Sequence, residues 1–267
     1  MSRFLTASLL AGCTTLACAQ ASAADLLQWQ NNSLTYLYGD NFKANPEDQQ
    51  KQQTLTFEHA SGWSFGDVFF FVDTINYPDV DAGDDTTYYG EFSPRLSLGK
   101  LSGADLKAGP VTDVLLAATY EFGEDDIKNY LIGPGFDLAI PGFDYFQVNV
   151  YRRHTDSSAK GDDEGLWQIT PVWSYTLPVG NSDLVIDGYI DWVVGNEDGY
   201  RNNLHFNPQI KYDLGKALNI DAKQLYVGLE YDYWKNKYGI EDGGYVSKNF
   251  VGPTNQNTAS LLVKLHF

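Results

Sequence analysis

Between Trp63 and Ile75, the odd positions hold Trp63, Phe65, Asp67, Phe69, Phe71, Asp73 and Ile75. In an extended chain residues two apart share a face, so five large apolar side chains and two carboxylates would line one surface. Rings set in this way stack on flat heterocycles, a contact worth ~1–3 kcal/mol per base in single-strand binders and tolerant of base identity. The carboxylates accept hydrogen bonds from hydroxyl or amine groups of the same solute. If this face lines a channel, Ser64, Gly66, Val68, Phe70, Val72 and Thr74 meet lipid. The opposite register turns Trp63, Phe65, Phe69 and Phe71 to lipid and sets the aspartates near the membrane interfaces, where a charge costs little. The sequence leaves both registers open.

Further polar candidates for the same interior are Glu91, Arg95, Tyr151, Asp187, Tyr189 and Asp191. A wider set comprises Glu58, Glu121, Asp137, Asn149, Arg153, His205, Lys211, Glu230, Asp232 and Lys264. Most are expected to be structural, because a buried charge without a partner is expensive. Arg95 and Glu91 are expected to form one rung of an ion-pair ladder. Acids outnumber bases in these sets, which favours neutral or cationic solutes over phosphorylated ones.

Two other chemistries are weighed and set aside. The run Asp79-Val80-Asp81-Ala82-Gly83-Asp84-Asp85 lacks the spacing and closing glutamate of a calcium loop, and Gly161-Asp162-Asp163-Glu164 reads as another solvated acidic loop. An outer-membrane hydrolase would need a serine, or an acid pair, within reach of a histidine. None of His59, His154, His205 and His266 is expected to have a serine partner two positions away on its strand face, so no enzymatic role, metal or cofactor is expected.

The elements that must carry these residues alternate in hydropathy. Strands are expected near 29–39, 53–60, 63–75, 88–99, 113–122, 129–138, 145–154, 166–177, 184–195, 203–212, 224–235 and 257–267. Val114, Leu116, Ala118, Tyr120 and Phe122 oppose Asp113, Thr119 and Glu121. In the last segment Ala259, Leu261, Val263, Leu265 and Phe267 oppose Ser260, Lys264 and His266. Period two governs throughout. In a bilayer only helices and closed barrels satisfy every backbone polar group, and no apolar helical span follows the first two dozen residues. The fold expected is all-β, a transmembrane antiparallel barrel of about twelve strands.

Aromatic residues make up 15% of the chain, enough for girdles at both interfaces, while a mean hydropathy of −0.32 reflects strands half given to a wet lumen. Residues 1–24 read as a cleaved export signal, with Arg3, an apolar stretch and a small-residue site ending at Ala24, leaving residues 25–267 as a single barrel domain. The rival is a lipobox at Leu10-Ala11-Gly12-Cys13. Both cysteines, Cys13 and Cys18, fall in this segment, so the barrel holds without disulfides. The six connections at one end contain 18 acidic and 7 basic residues, against 5 and 4 at the other. The acidic end suits a lipopolysaccharide surface bridged by divalent cations. A chain whose formal charge is −17 excludes nucleic-acid polymers as partners.

The run Glu91-Phe92-Ser93-Pro94-Arg95-Leu96-Ser97-Leu98-Gly99-Lys100-Leu101, with Asp105-Leu106 and Gly109-Pro110 after it, resembles the Tsx nucleoside-channel family, which includes outer membrane protein K. Weaker matches are Gly133-x-Gly135-x-Asp137, Asn149-Val150-Tyr151, Asp191-Trp192, Tyr231-Asp232-x-Trp234 and the terminal Phe267. The resemblance implies a twelve-stranded barrel in the outer membrane of a Gram-negative bacterium, passing nucleosides by passive diffusion. Such barrels can also act as phage or colicin receptors. A general small-solute porin is the other reading. The expected partners are nucleosides or other small solutes, outer-membrane lipid and lipopolysaccharide, and the barrel-assembly machinery through Phe267. A monomer is expected.

Overall fold

The computed structural model describes residues 26–45, 49–81, 85–124, 127–155, 165–195 and 200–267. The expected signal segment, Cys13, the middle of the Asp79–Asp85 loop and Gly161–Glu164 lie outside them. Twelve strands alternate along the described residues: β1 (Leu27–Gly39), β2 (Gln52–Trp63), β3 (Gly66–Asn76), β4 (Thr86–Ser97), β5 (Val111–Gly123) and β6 (Ile127–Leu138). They continue with β7 (Tyr145–Thr155), β8 (Leu166–Val179), β9 (Ser182–Val194), β10 (Asn203–Asp213), β11 (Leu225–Lys235) and β12 (Gln256–His266). Each strand pairs antiparallel with the next, and β1 pairs with β12, so the sheet closes on itself. Ser33 faces His266 and Gly39 faces Ser260 across that seam, and the Phe267 N–H donates to the Asn32 carbonyl at 2.9 Å.

Closure gives the sheet two unlike faces. Leu261, Val263 and Leu265 of β12 point outward and are 64%, 47% and 46% exposed, while Ser260, Leu262 and Lys264 between them are buried inside. The same alternation runs through β1, where Leu34, Tyr36 and Tyr38 face out and Ser33, Thr35 and Leu37 face in. An apolar exterior around a polar interior is the arrangement a bilayer demands. Aromatics cluster on the exterior as well, with the Tyr120 and Tyr130 rings stacked at 5.2 Å. No helix among the described residues is long and apolar enough to cross a membrane.

Two tight hairpins lie at one end of the barrel, the end expected to face the periplasm, beside longer connections. The β2–β3 hairpin spans only Ser64 and Phe65, and β8 and β9 are joined through Gly180 and Asn181. Two periplasmic connections carry short helices, Leu98–Ser102 and Leu214–Ala217, capped by the Ser97 and Asp213 side chains. At the other end, residues 236–255 fold against the rim. The buried Lys237 ammonium donates to the Gln256 side-chain oxygen at 2.8 Å and lies over the Trp234 and Tyr238 rings.

The expected strand positions match the observed ones closely, with one consequential shift. Trp63 belongs to β2, and β3 begins at Gly66, so the alternation does not run unbroken from Trp63 to Ile75.

Strands cross closely at Gly188, whose φ is +152° and whose added Cβ would lie 2.4 Å from the Asn207 carbonyl oxygen. Gly188→Ala is expected to destabilise the folded barrel by ~1–3 kcal/mol. The check is the urea midpoint of the detergent-solubilised protein, followed by the mobility shift between boiled and unboiled samples.

Candidate functional site in the barrel lumen

Register settles which residues of β3 face the lumen. Asp73 pairs with Thr56, Phe71 with Glu58, Phe69 with Ala60 and Asp67 with Gly62. Glu58 is inside, because it accepts from Ser33 Oγ at 2.7 Å and forms an ion pair with Lys264. Asp67, Phe69, Phe71 and Asp73 therefore line the interior together. Val68 and Phe70 face outward, where Phe70 sits 6.4 Å from both Phe57 and Phe122.

Trp63 and Phe65 are not lumen residues, which corrects the sequence-based expectation. The two-residue hairpin reverses the chain between Trp63 and Gly66, so the paired Trp63 and Gly66 share the outer face. The Phe65 ring follows Trp63, 5.9 Å away. A turn resets the phase of the alternation, and counting by twos across it fails.

The lumen is organised in two zones. Nearer the periplasmic turns, charges pair. Arg95, only 5% exposed, grips both oxygens of Asp67 at 2.8 and 2.7 Å and reaches Asp137 at 2.9 Å. Lys211 meets Asp187 at 2.6 Å and Lys216 meets Asp183 at 2.6 Å. Arg95 does not pair with Glu91 as expected. Residues four apart on a strand are separated by roughly 13 Å at ~3.3 Å per residue. Neighbours across the sheet are about 5 Å apart, so lumen pairs form around the barrel instead of along a strand.

Toward the middle, aromatic and acidic side chains share the wall. Phe69 and Phe71 lie 6.0 Å apart, and Phe71 lies 5.9 Å from Tyr89. Phe69 remains 39% exposed, with its ring open to the passage. Asp73 accepts from Thr56 Oγ1, and Glu91 accepts from the Tyr89 hydroxyl at 2.8 Å. The opposite wall carries Tyr189, His205 and Trp234. His205 stacks on Trp234 at 3.9 Å with planes 18° apart, and Tyr189 meets the same imidazole edge-on at 5.2 Å. Asp232 lies 3.2 Å from His205 Nε2, and Asp191 accepts from Thr170 Oγ1 at 2.7 Å and Gln168 Nε2 at 2.9 Å. Tyr151, 4% exposed, packs with Ala117 and Leu131 between the walls, its hydroxyl 3.5 Å from Thr119 Oγ1. Glu121 is held by Arg153 and Asn129.

The sequence reading did not single out Tyr89 or Trp234 as lumen sites. Tyr89 shares the parity of Glu91 and Arg95, which was the available signal. Among the described residues no group of three or more His, Cys, Asp or Glu side chains is placed to hold a metal ion. Outside the barrel, Lys51 and Asp79 pair at 2.7 Å between loops, and that hydrogen bond pushes the Lys51 pKa up.

A closed barrel with a lumen of this kind can be compared with known families. The family described as "Nucleoside-specific channel-forming protein, Tsx" matches residues 24–267. The chain belongs to this Tsx family. Outer membrane protein OmpK of Vibrio parahaemolyticus is 26% identical over 211 residues, covering 77% of each chain. The OmpK of its serotype O3:K6 strain is 26% identical over 210 residues, covering 74% of this chain and 76% of that one. Among solved structures, the KdgM porin is similar over 88% of this chain and 99% of its own, at 12% identity and a TM-score of 0.48. Omp33 of Acinetobacter baumannii is similar over 91% and 100% at 12% identity, with a TM-score of 0.39. As a Tsx-family barrel, the chain is an outer-membrane channel. Its family assignment rests on the sequence match, and its fold rests on the strand pairing.

The expectation that no histidine has a serine partner also needs correction. His59-Ala60-Ser61 is a His-x-Ser pair on one strand face, with His59 Nε2 and Ser61 Oγ 3.0 Å apart. Their parity is opposite to that of Glu58, so they lie on the exterior and take no part in the lumen.

Arg95 is the test of the paired zone. Arg95→Ala leaves Asp67 and Asp137 facing each other without a counter-ion and is expected to destabilise the barrel by ~3–5 kcal/mol. Urea denaturation read by tryptophan fluorescence measures this, and a double Asp67→Asn, Arg95→Met variant is expected to recover part of the loss.

Proposed function

We propose that the lumen conducts nucleosides across the outer membrane by passive diffusion. The observation that supports this reading is the ring-and-acid wall of Phe69, Phe71, Tyr89, Asp73 and Glu91 facing Tyr189, His205 and Trp234 across the passage. Aromatic faces receive a base by stacking, at ~1–3 kcal/mol per contact, and do so with little regard to which base it is. Carboxylates and the Tyr189 hydroxyl offer partners to ribose and amine hydrogens. Several weak sites in series allow entry without trapping, which conduction requires. The excess of acids favours neutral and cationic solutes and disfavours nucleotides.

The reading assigns no reaction to the lumen. It carries with it a monomeric barrel, a cleaved segment 1–24, contact of the acidic rim with lipopolysaccharide, and recognition of Phe267 by the assembly machinery. Asp67, Arg95, Asp137, Lys211 and Asp187 hold the wall in shape. Phe69, Phe71, Asp73, Glu91, Tyr189 and Asp191 meet the solute, and Tyr151, buried against Ala117 and Leu131, supports the wall behind them.

Proteoliposome swelling tests the solute class: adenosine and thymidine are expected to enter faster than a sugar of similar size. Equal rates would make the barrel a general porin, and no entry would favour a surface receptor. In planar bilayers, nucleoside block of the single-channel current is expected to weaken by about fivefold or more for Phe69→Ala, the equivalent of ~1 kcal/mol of lost stacking. Phe70→Ala, on the lipid side, is expected to leave block unchanged.

A further inference from the structure

The outer face of β1 and β2 carries four polar side chains where an apolar band is the rule. Asn32, His59, Ser61 and Trp63 form one connected chain of hydrogen bonds. Asn32 Oδ1 lies 2.8 Å from His59 Nδ1. An amide oxygen only accepts, so Nδ1 carries the proton and Nε2 is left as a bare acceptor. Nε2 lies 3.0 Å from Ser61 Oγ and takes the hydroxyl proton, while the Trp63 indole N–H donates to the same oxygen at 3.0 Å. Nucleophile, base and orienting group are thus joined in the order that activates a serine. Asn32 sits opposite His59 on the neighbouring strand, which fixes the imidazole by register as well as by its hydrogen bond.

Depth and surroundings indicate the substrate. Ser61 is three residues from the periplasmic hairpin at Ser64 and Phe65, roughly 7 Å along the membrane normal for a strand tilted about 45°. The interfacial zone is about 5–7 Å thick on each side of the hydrocarbon, so the hydroxyl lies at the level of lipid ester groups. Beside it, an exterior cleft of about 470 Å³ is walled by Phe57, Val68, Phe70 and Phe92. Ser61 itself is only 1% exposed, covered by its own network, so the indole must swing aside to admit a carbonyl.

We propose that Ser61, His59 and Asn32 form a serine-esterase site on the exterior of the barrel, directed at the acyl esters of glycerophospholipids in the periplasm-facing leaflet. Ser61 Oγ bonds to the acyl carbonyl carbon as its proton passes to His59 Nε2. The tetrahedral adduct collapses, the bond between the acyl carbon and the glycerol oxygen breaks, and that oxygen leaves with the proton from Nε2. Water then gives a proton to Nε2 as its oxygen adds to the acyl carbon. Oγ leaves, recovers that proton, and a fatty acid is released. Asn32 is a positioning residue that holds the tautomer. The site is independent of the lumen, so its failure would leave the channel reading untouched.

The experiment uses the full barrel reconstituted in dioleoylphosphatidylethanolamine–dioleoylphosphatidylglycerol vesicles, with oleate release followed by mass spectrometry. Release by the wild type is expected to exceed that of Ser61→Ala and His59→Ala by about a hundredfold or more, with Asn32→Ala between them. A fluorophosphonate probe is expected to label the Ser61 peptide in the wild type and not in His59→Ala. Unchanged single-channel conductance in each variant confirms an assembled barrel. Equal oleate release from wild type and Ser61→Ala, or an assembled wild type whose Ser61 takes up no probe, overturns the proposal.

Discussion

Hydrocarbon offers a backbone no hydrogen-bond partner, and every other feature of this chain follows from that constraint. A strand left at the edge of an open sheet would carry a row of unpaired N–H and C=O groups at several kcal/mol each. Pairing of β1 with β12 removes both edges at once. Once the sheet is closed, alternation of side chains is forced into an inside and an outside, and the composition of each face is no longer free. The exterior takes Leu34, Tyr36, Leu261 and Val263, and the interior takes Ser33, Thr35, Ser260 and Lys264.

The interior then faces a second constraint. Charges shut inside a narrow barrel need partners, and strand geometry decides where partners can be. Arg95 is served by Asp67 on one neighbouring strand and by Asp137 two strands away on the other side, and Lys211 by Asp187 next door. These bonds run around the barrel and brace it as hoops do. Where the hoops give way to Phe69, Phe71, Tyr189, His205 and Trp234, the wall carries ring faces beside the carboxylates of Asp73, Glu91, Asp191 and Asp232. Charge pairs and ring faces are thus divided by depth along one channel.

The exterior is not uniformly apolar. Asn32, His59, Ser61 and Trp63 place a directional hydrogen-bonded chain against lipid, on the short hairpin that also ends the aromatic wall of β3. The same two-residue turn that sends Trp63 outward keeps Asp67 facing Arg95. A single local reversal therefore shapes both surfaces.

Strand number, strand limits and the polarity of each face were legible in the sequence because period-two alternation is a local property, repeated twelve times with little interruption. So was family membership, carried by the run from Glu91 to Leu101. The phase of β3 relative to β2 was not, since it depends on a hairpin whose length alternation alone does not reveal. Counting by twos therefore carries Trp63 and Phe65 onto the face of Phe69 and Phe71, from which the hairpin separates them. The partner of Arg95 was also hidden, because proximity across the sheet is set by register between Asp67 and Arg95, 28 positions apart, and by the further reach to Asp137. His59 and Ser61 stand two apart in the sequence for anyone to read. What makes them a candidate relay is Asn32, which only the pairing of β1 with β2 brings to the imidazole. Local chemistry determined what each segment would become, and closure of the sheet decided which side chains meet.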